Sequence, residues 1–270
     1  MGGVAIGPFI LSGDRSAAIV GAALFLLVGW IFERRAKWPI TNWMQSLLLA
    51  AFVGARAGHV LLFWSSFLGS PWRILAIWQG GFSWKFGAMS ALAVAAPALW
   101  RKPHLRVPTA LALSVSLLGW GLSFQYFVKN DAAVAAPTHE LSLLDGGAID
   151  LSQLHGRPMV LNLWASWCPP CRRELPMMAR FAATEGKVDF VFANQGENPA
   201  VIQRFLTAQR LSIRTVAIDQ QSSLMRHYQA LGLPATLFIA ADGQVVAAQL
   251  GEISSETLQV ETDTLNSGAH

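Results

Sequence analysis

The chain has 270 residues, of which 53% are hydrophobic and only 13% are charged, and its mean hydropathy is +0.40. This composition is too apolar for an ordinary soluble enzyme. The 20 Lys and Arg against 16 Asp and Glu give a net charge of +4. The basic residues lie between apolar segments and form no clustered basic face, which argues against nucleic acid as a partner.

Charge and cysteine content divide the chain near Ala136. The part before it has 11 Lys and Arg against 3 Asp and Glu, and the part after it has 9 against 13. Nine of the 11 Trp precede the division and both Cys follow it. We therefore predict a transmembrane domain over 1–129, a linker over 130–138 and a second domain in water over 139–270.

Four apolar stretches in the first part are each close to the roughly 20 residues that cross the hydrocarbon layer of a bilayer. They span 16–32, 43–69, 80–100 and 107–127. The fold class predicted for this part is therefore an α-helical membrane bundle of four transmembrane helices. The start of the chain lacks the basic region of a signal peptide, so the first span is expected to be kept as an anchor.

The short loops over 33–37 and 101–106 are rich in Lys and Arg. Because cytoplasmic loops carry an excess of these residues, both loops are expected on the cytoplasmic side. Both termini and the whole second domain are then expected on the outer side of the membrane.

Arg56 and His59 lie inside the second apolar stretch, where an ionisable group costs at least about 2.5–3.5 kcal/mol and usually faces a bundle interior. Arg56 could hold an anionic lipid head group, hydrogen-bond to neighbouring helices or extend its charge to the membrane surface. Gly54 and Gly58 are four residues apart and could let another helix approach closely, which favours the helix-packing role.

The runs Gly-Ala-Arg-Ala-Gly at 54–58 and Pro-Trp-Arg-Ile-Leu-Ala-Ile-Trp-Gln-Gly-Gly-Phe-Ser at 71–83 resemble the prolipoprotein diacylglyceryl transferase family. Where that family has His-Gly-Gly, this chain has Lys85, Phe86 and Gly87. The later Arg/Asn/Glu-bearing signature of the family and its remaining spans are absent. The resemblance implies a truncated relative of that membrane scaffold that is not a working transferase.

Strand and helix signals alternate through the second part of the chain. Helices between buried apolar strands predict an α/β layer with helices on both faces of the sheet. The predicted strands are 159–164, 188–193, 215–218, 235–240 and 245–250, and the predicted helices are 169–183, 199–209, 222–231 and 254–265.

Cys168-Pro169-Pro170-Cys171 lies where the first long strand meets its helix. The unpaired N–H groups and the dipole at a helix N-terminus stabilise a thiolate, which lowers the pKa of Cys168 and favours it as the nucleophile. Cys171, one turn along, is placed to resolve a mixed disulfide. A zinc site would need ligands from histidines scattered along the chain, so we predict no metal, and we predict no cofactor. A purely structural disulfide would close only a small loop and stabilise the fold little.

The residues 160–176 around this motif, together with Gly-Leu-Pro-Ala-Thr-Leu-Phe-Ile at 232–239, resemble the TlpA/ResA-like thioredoxin family of membrane-anchored bacterial disulfide reductases. The resemblance covers 139–266 and implies an α/β thioredoxin-like domain. It also implies that Pro234 is a cis-proline beside the active site and that the Leu233 backbone pairs with a bound substrate strand.

Two further positions, Asn162 and Glu174, follow from the resemblance. Asn162 stands where cytoplasmic thioredoxins have a buried Asp, so another base must take the proton of the resolving cysteine. Glu174, one helical turn after Cys171, matches the family's active-site glutamate and is the candidate; the alternative is an exposed carboxylate that pairs with an Arg. Trp167 is expected to pack beside the thiolate and contact the substrate.

The resemblance implies a thiol-disulfide oxidoreductase of the bacterial inner membrane, most simply a periplasmic disulfide reductase of cysteine-containing proteins, for example in cytochrome c maturation. A periplasmic thiol oxidase or isomerase, a redox-inactive chaperone, and a lipid-binding or acyl-transfer-related membrane protein with an accessory thioredoxin domain remain alternatives. Residues 1–136 contain no Cys. A separate membrane redox partner is therefore required, either a donor of the DsbD/CcdA type or a quinone-linked acceptor.

Overall fold

The computed structural model describes residues 3–6, 9–36, 39–68, 71–128, 137, 140–153 and 156–268. The chain divides into two compact units, one formed by Gly13–Asn130 and the other by Asp131–His270 together with Gly3–Ser12. Except for Pro137, the predicted linker 130–138 lies outside the described residues.

An antiparallel hairpin of β1 and β2 precedes a unit built from helices. The bounds of these elements are β1 (Gly3–Ile6), β2 (Phe9–Ser12), α1 (Gly13–Ala36), α2 (Ile40–Leu62), α3 (Trp64–Leu68), α4 (Trp84–Arg101) and α5 (Arg106–Val128). The second predicted span is shorter than expected, because α2 ends at Leu62 and the chain continues as the separate helix α3.

Three helical segments in the described part of the chain are long and apolar enough to cross a membrane: Ser16–Arg35, Ile40–Leu62 and Pro103–Tyr126. The third predicted span, over 80–100, corresponds to α4, which has 18 residues and begins only at Trp84. Its start is delayed because 3-10 turns occupy Pro71–Leu75 and Ile77–Gln79 and are followed by two glycines with positive φ. Lys85 falls in its first turn.

Small residues let α2 and α4 pack closely, which confirms the expected close approach of another helix at Gly54 and Gly58. A Cβ added at Gly54 would overlap Ser90, and one added at Gly58 would overlap the Phe86 ring. On the facing helix, a Cβ at Gly87 would lie 2.9 Å from the Ala51 carbonyl oxygen. Such spacing at van der Waals contact is how helices associate in lipid.

The second unit contains a seven-stranded sheet with helices on both faces, as the alternating pattern predicts. Its elements are β3 (Glu140–Leu143), β4 (Ala148–Asp150), β5 (Met159–Trp164), α6 (Pro169–Thr184), β6 (Asp189–Gln195), α7 (Pro199–Ala208), β7 (Val216–Asp219), α8 (Ser223–His227), β8 (Ala235–Ile239), β9 (Val245–Leu250) and α9 (Ser255–Ser267).

The strand order is β4-β3-β7-β6-β5-β8-β9, with β5, β6 and β7 parallel and the other neighbours antiparallel. Every residue of β5 is buried, because apolar clusters cover both faces of the sheet there. Helix α8 is shorter than its predicted span of 222–231, because Gln229 adopts a left-handed φ of 51°. The central strand β5 thus leads directly into the helix that carries the cysteines.

Candidate active site

Cys168 forms the N-cap of helix α6, and its Sγ accepts a hydrogen bond from the Cys171 N–H at 3.3 Å. A disulfide joins Cys168 and Cys171. Pro169 and Pro170 occupy the first helical turn, where an N–H group would have no partner within the helix. Cys168 is 3% exposed and Cys171 is fully buried, so Cys168 is the more accessible of the two sulfurs.

The loop between β5 and the cysteines is held by a carboxylate that the sequence analysis missed. Glu197 accepts hydrogen bonds from both the backbone N–H and the hydroxyl of Ser166, the former at 2.7 Å. It also accepts from the Asn194 side-chain amide at 2.8 Å. Trp167, the next residue of this loop, is 67% exposed beside the cysteines.

The peptide bond between Leu233 and Pro234 is cis, as the resemblance implies. Strand β8 begins at the next residue and pairs antiparallel with β5, with Ala235 opposite Leu163. This register places the Pro234 turn next to the end of β5 from which the cysteine loop leaves. The Pro234 carbonyl oxygen accepts a hydrogen bond from Gly251 N–H at 2.8 Å.

Glu174 lies in the core, 2% exposed, so the alternative of an exposed, Arg-paired carboxylate is wrong. One carboxylate oxygen accepts from the Asn162 side-chain amide at 3.0 Å, and the other accepts from the Ile253 backbone N–H at 2.9 Å. The same Asn162 nitrogen donates to the Thr236 hydroxyl at 3.1 Å. Glu174 thus accepts one hydrogen bond from β5 and one from the segment after β9, and Asn162 connects it to β8.

Burial raises the pKa of Glu174 to about 8, because loss of water disfavours the charged form. The hydrogen bonds from Ile253 and Asn162 oppose this effect, as does the positive charge of Arg173, whereas the negative charge of Glu252 adds to it. A carboxyl group with a pKa near 8 can exchange a proton close to neutral pH.

The comparisons with known proteins agree with this geometry. Residues 131–264 match the Redoxin family. The thiol-disulfide oxidoreductase ResA of Bacillus cereus is 30% identical over 159 residues, which cover 57% of this chain and 91% of the relative. This chain belongs to the ResA family of thiol-disulfide oxidoreductases.

Other proteins are similar to the same part of the chain. ResA of Halalkalibacterium halodurans is 29% identical over 160 residues, which cover 57% of this chain and 90% of the relative. Among solved structures, StoA from Bacillus subtilis is 25% identical and covers 48% of this chain and 98% of its own, with a TM-score of 0.43.

This ResA-family chain also carries a helical region of a second kind. Residues 16–124 match the Prolipoprotein diacylglyceryl transferase family, and this range includes two of the three long apolar helical segments and all but the last two residues of the third. The protein is therefore a membrane-associated oxidoreductase.

Arg56 of this ResA-family protein is buried and bonded to backbone. Its guanidinium donates to the carbonyl oxygens of Ile74 at 2.9 Å, Gly80 at 2.7 Å and Gly81 at 2.9 Å, and to that of Arg73 at 2.6 Å. These contacts favour the packing role over lipid binding for Arg56.

His59, one turn along α2, is also buried. Its ring centroid lies 4.7 Å from that of Phe63 and 6.2 Å from that of Phe67. A Cβ on Gly81 would lie 2.6 Å from His59 and 3.0 Å from Arg56. His59 and Arg56 therefore pack together against the 71–81 segment.

In the described residues no group of three or more His, Cys, Asp or Glu could hold a metal ion.

Proposed function

We propose that this ResA-family protein is a membrane-tethered disulfide reductase that acts on cysteine-containing proteins in the periplasm of a bacterium. The observation that carries the proposal is the Cys168–Cys171 pair at the N-terminus of α6, with the buried carboxyl group of Glu174, whose pKa is raised by burial, one turn further along the same helix. Apocytochrome c, whose cysteines must be reduced before haem is attached, is the substrate class that the family resemblance favours.

The reaction transfers two electrons from the reduced dithiol to a substrate disulfide. The Cys168 thiolate attacks one substrate sulfur, which forms a mixed disulfide and releases the other substrate sulfur as a thiolate. Cys171 loses its proton, and its thiolate attacks the Cys168 sulfur, which forms the Cys168–Cys171 disulfide and releases the second substrate thiolate. The products are a reduced substrate and the oxidised form of the enzyme, which is the form that the structure shows.

Glu174 is proposed to accept the proton of Cys171 in the second step. Asn162 cannot do so, because an amide has no titratable group near neutral pH. Its side-chain amide instead orients the Glu174 carboxylate.

The substrate is proposed to bind at the exposed side of the cysteine loop. The Leu233 backbone, at the turn before Pro234, pairs with an extended substrate segment. Trp167, which is 67% exposed, covers the apolar part of that segment.

The proposed domains are a membrane domain over 1–129, a tether over 130–138 and a periplasmic redox domain over 139–270. We include α4 as a fourth span, because its 18 residues extend about 27 Å, close to the thickness of the hydrocarbon layer. The basic loops 33–37 and 101–106 then face the cytoplasm, and both termini face the periplasm. The reducing equivalents come from a DsbD/CcdA-like membrane donor, since a dithiol used up in each cycle must be reduced again.

The proposal is tested by trapping substrates in cells with full-length Cys171→Ala, which keeps the attacking sulfur and removes the resolving one. We expect periplasmic proteins in mixed disulfides that are released by dithiothreitol. The control, with Cys168→Ala added, has the same fold and no thiol and should capture none. Equal recovery from both variants, or no captured protein from Cys171→Ala, contradicts the proposal.

A further inference from the structure

Three consecutive residues after β9, Gly251, Glu252 and Ile253, contact three different parts of the site. Gly251 N–H donates to the Pro234 carbonyl at 2.8 Å, and Ile253 N–H donates to Glu174 at 2.9 Å. Between them, Glu252 accepts two hydrogen bonds from Arg173. We call residues 251–253 the clamp segment.

The Arg173–Glu252 pair has the geometry of a fixed contact. Arg173 Nε and Nη2 both donate to the same oxygen of Glu252, at 3.0 and 2.7 Å. The Glu252 side chain is 7% exposed, whereas that of Arg173 is 52% exposed. A forked, charge-assisted contact to a buried carboxylate holds its partner more firmly than a surface ion pair does.

The Arg173–Glu252 pair lies next to the hydrogen bond between Glu174 and Ile253 on both segments. Arg173 immediately precedes Glu174 on α6, and Glu252 immediately precedes Ile253 in the clamp segment. The contacts of Arg173 with Glu252 and of Glu174 with Ile253 therefore lie side by side and join α6 to the clamp segment. Loss of the Arg173–Glu252 contact would loosen the backbone that holds the Ile253 N–H against Glu174.

Among the described residues, two charged side chains affect the pKa of Glu174. Arg173 on its own helix and Glu252 on the clamp segment act on it electrostatically. Strands β5 and β8 present the neutral Asn162 and Thr236. The cysteines are on α6 as well, and α9 carries Glu256, which accepts from the Ser255 hydroxyl.

We propose that Arg173 and Glu252 are positioning residues for Glu174, which hold the Ile253 N–H against its carboxylate and place two opposed charges beside it. This inference rests on the proposed role of Glu174 as the proton acceptor. The two charges act in opposite directions: the guanidinium favours the ionised form of Glu174 and the second carboxylate disfavours it. The pair therefore determines the pH above which Cys171 can pass its proton to Glu174.

The test uses the full-length protein, reduced and reconstituted in lipid nanodiscs, in single turnover against excess insulin disulfide from pH 5 to pH 10. At excess substrate the observed rate is that of resolution by Cys171. Arg173→Gln removes the positive charge and should move the inflection of the pH profile up by about one pH unit. Glu252→Gln keeps an oxygen for Arg173 to bond, removes the negative charge and should move the inflection down by a similar amount.

Asp189→Asn is the matched control, because Asp189 pairs with Arg157 at 3.3 Å at the opposite end of the sheet, where β6 begins. Its inflection should stay where the unsubstituted protein has it. A purely structural effect of the clamp would move both variants upward, since each would loosen the Ile253 hydrogen bond. Shifts in the same direction, or no shift, overturn the inference. If Glu252→Gln fails to fold, Arg173→Lys at the half-exposed position 173 decides the matter, because it keeps the positive charge and breaks the forked contact. A charge effect leaves its inflection near that of the unsubstituted protein, whereas a purely structural effect moves it upward.

Failure of the proposed function gives a different result. Glu174→Gln should abolish the inflection altogether. A profile without an inflection in the unsubstituted protein, or one that survives Glu174→Gln, contradicts the role of Glu174 itself. An inflection that requires Glu174 but ignores both charge variants contradicts only the role of Arg173 and Glu252.

Discussion

Arg56 in the helical unit and Glu174 in the redox unit are both buried ionisable side chains, but their surroundings differ. Arg56 donates to four backbone carbonyl oxygens within one short segment. Among the described residues, Glu174 accepts two hydrogen bonds and lies near one charge of each sign. A guanidinium stays charged at every relevant pH, so its burial requires saturation by fixed acceptors. A carboxyl group can instead take up a proton, so incomplete compensation leaves it close to its titration point.

Burial of an ionisable side chain therefore does not by itself indicate a catalytic role. The number of fixed partners decides whether a buried charge holds the fold or exchanges protons. Substitutions at Arg56, Glu174, Gly58 and Glu197 test that distinction.

Arg56→Ala should destabilise the helical unit by at least about 4 kcal/mol, since each of the four partly buried carbonyl groups left without its donor costs about 1–3 kcal/mol. Thermal unfolding in detergent measures the loss, and Arg56→Lys, which keeps the charge with fewer donors, should fall between. The activity per folded molecule should be unchanged. A stable Arg56→Ala protein that has lost only lipid binding would contradict the packing role.

Glu174→Gln should change how stability depends on pH. The pKa of Glu174 is raised from 4.5 to about 8 in the folded protein. The unfolded chain therefore releases this proton from pH 4.5 upward, while the folded protein keeps it until pH 8. The contribution to stability is full below pH 4.5, falls as the pH rises to 8 and is constant above, a loss on the order of 5 kcal/mol.

Denaturant unfolding at pH 5 and pH 9 measures this contribution. The unsubstituted protein should lose stability between the two values, and Glu174→Gln should remove most of that loss. Asp263→Asn, at an exposed carboxylate on α9 that accepts from Gln259, is the control and should behave like the unsubstituted protein. An unchanged difference in Glu174→Gln would mean that Glu174 does not titrate in this range.

Gly58→Ala should destabilise the packing of α2 on α4 by about 1–3 kcal/mol, because the added methyl group overlaps the Phe86 ring. Gly121→Ala is the matched control within the same unit, since a Cβ there meets no atom within 4 Å. We expect Gly121→Ala to leave the melting temperature unchanged or to raise it slightly. Equal melting temperatures for the two variants would show that α2 and α4 do not pack as described.

Glu197→Gln should lower the free energy of unfolding by about 1 kcal/mol, because charge-assisted hydrogen bonds with Ser166 and Asn194 become neutral ones. Glu197 resembles Arg56 in having several fixed partners, so its effect should be on the loop and not on the pH profile. The fluorescence anisotropy of Trp167 should fall as the loop loosens. The signal of the other Trp residues is measured in Trp167→Phe and subtracted. An unaltered anisotropy would contradict this role.

The sequence predicts much of this site and misses a defined part of it. The strand before Cys168, the helix after it and the close approach at Gly54 and Gly58 follow from local pattern and residue size. Glu197, Thr236 and the clamp segment do not, because their contacts join residues 31, 74 and 79 positions apart, which no periodicity relates. Strands β3 and β4, with four and three residues, are too short to give a recognisable alternation.

The spans show the same division between local and tertiary information. Apolar length predicts where helices form, but the 71–81 segment folds into turns because Arg56 binds its carbonyl groups. That contact depends on a neighbouring helix and is not visible in the segment itself. The Arg56 donors and the late start of α4 are two consequences of one tertiary interaction.

The direction of electron transfer is tested by the reduction potential of the Cys168–Cys171 pair, measured in the full-length protein against glutathione, together with the redox state of the pair in cells. A disulfide reductase should have a potential nearer to about −270 mV than to about −120 mV and should be mostly reduced in cells. A pair that is mostly oxidised in cells, with a potential near the oxidising end of this range, would contradict the account.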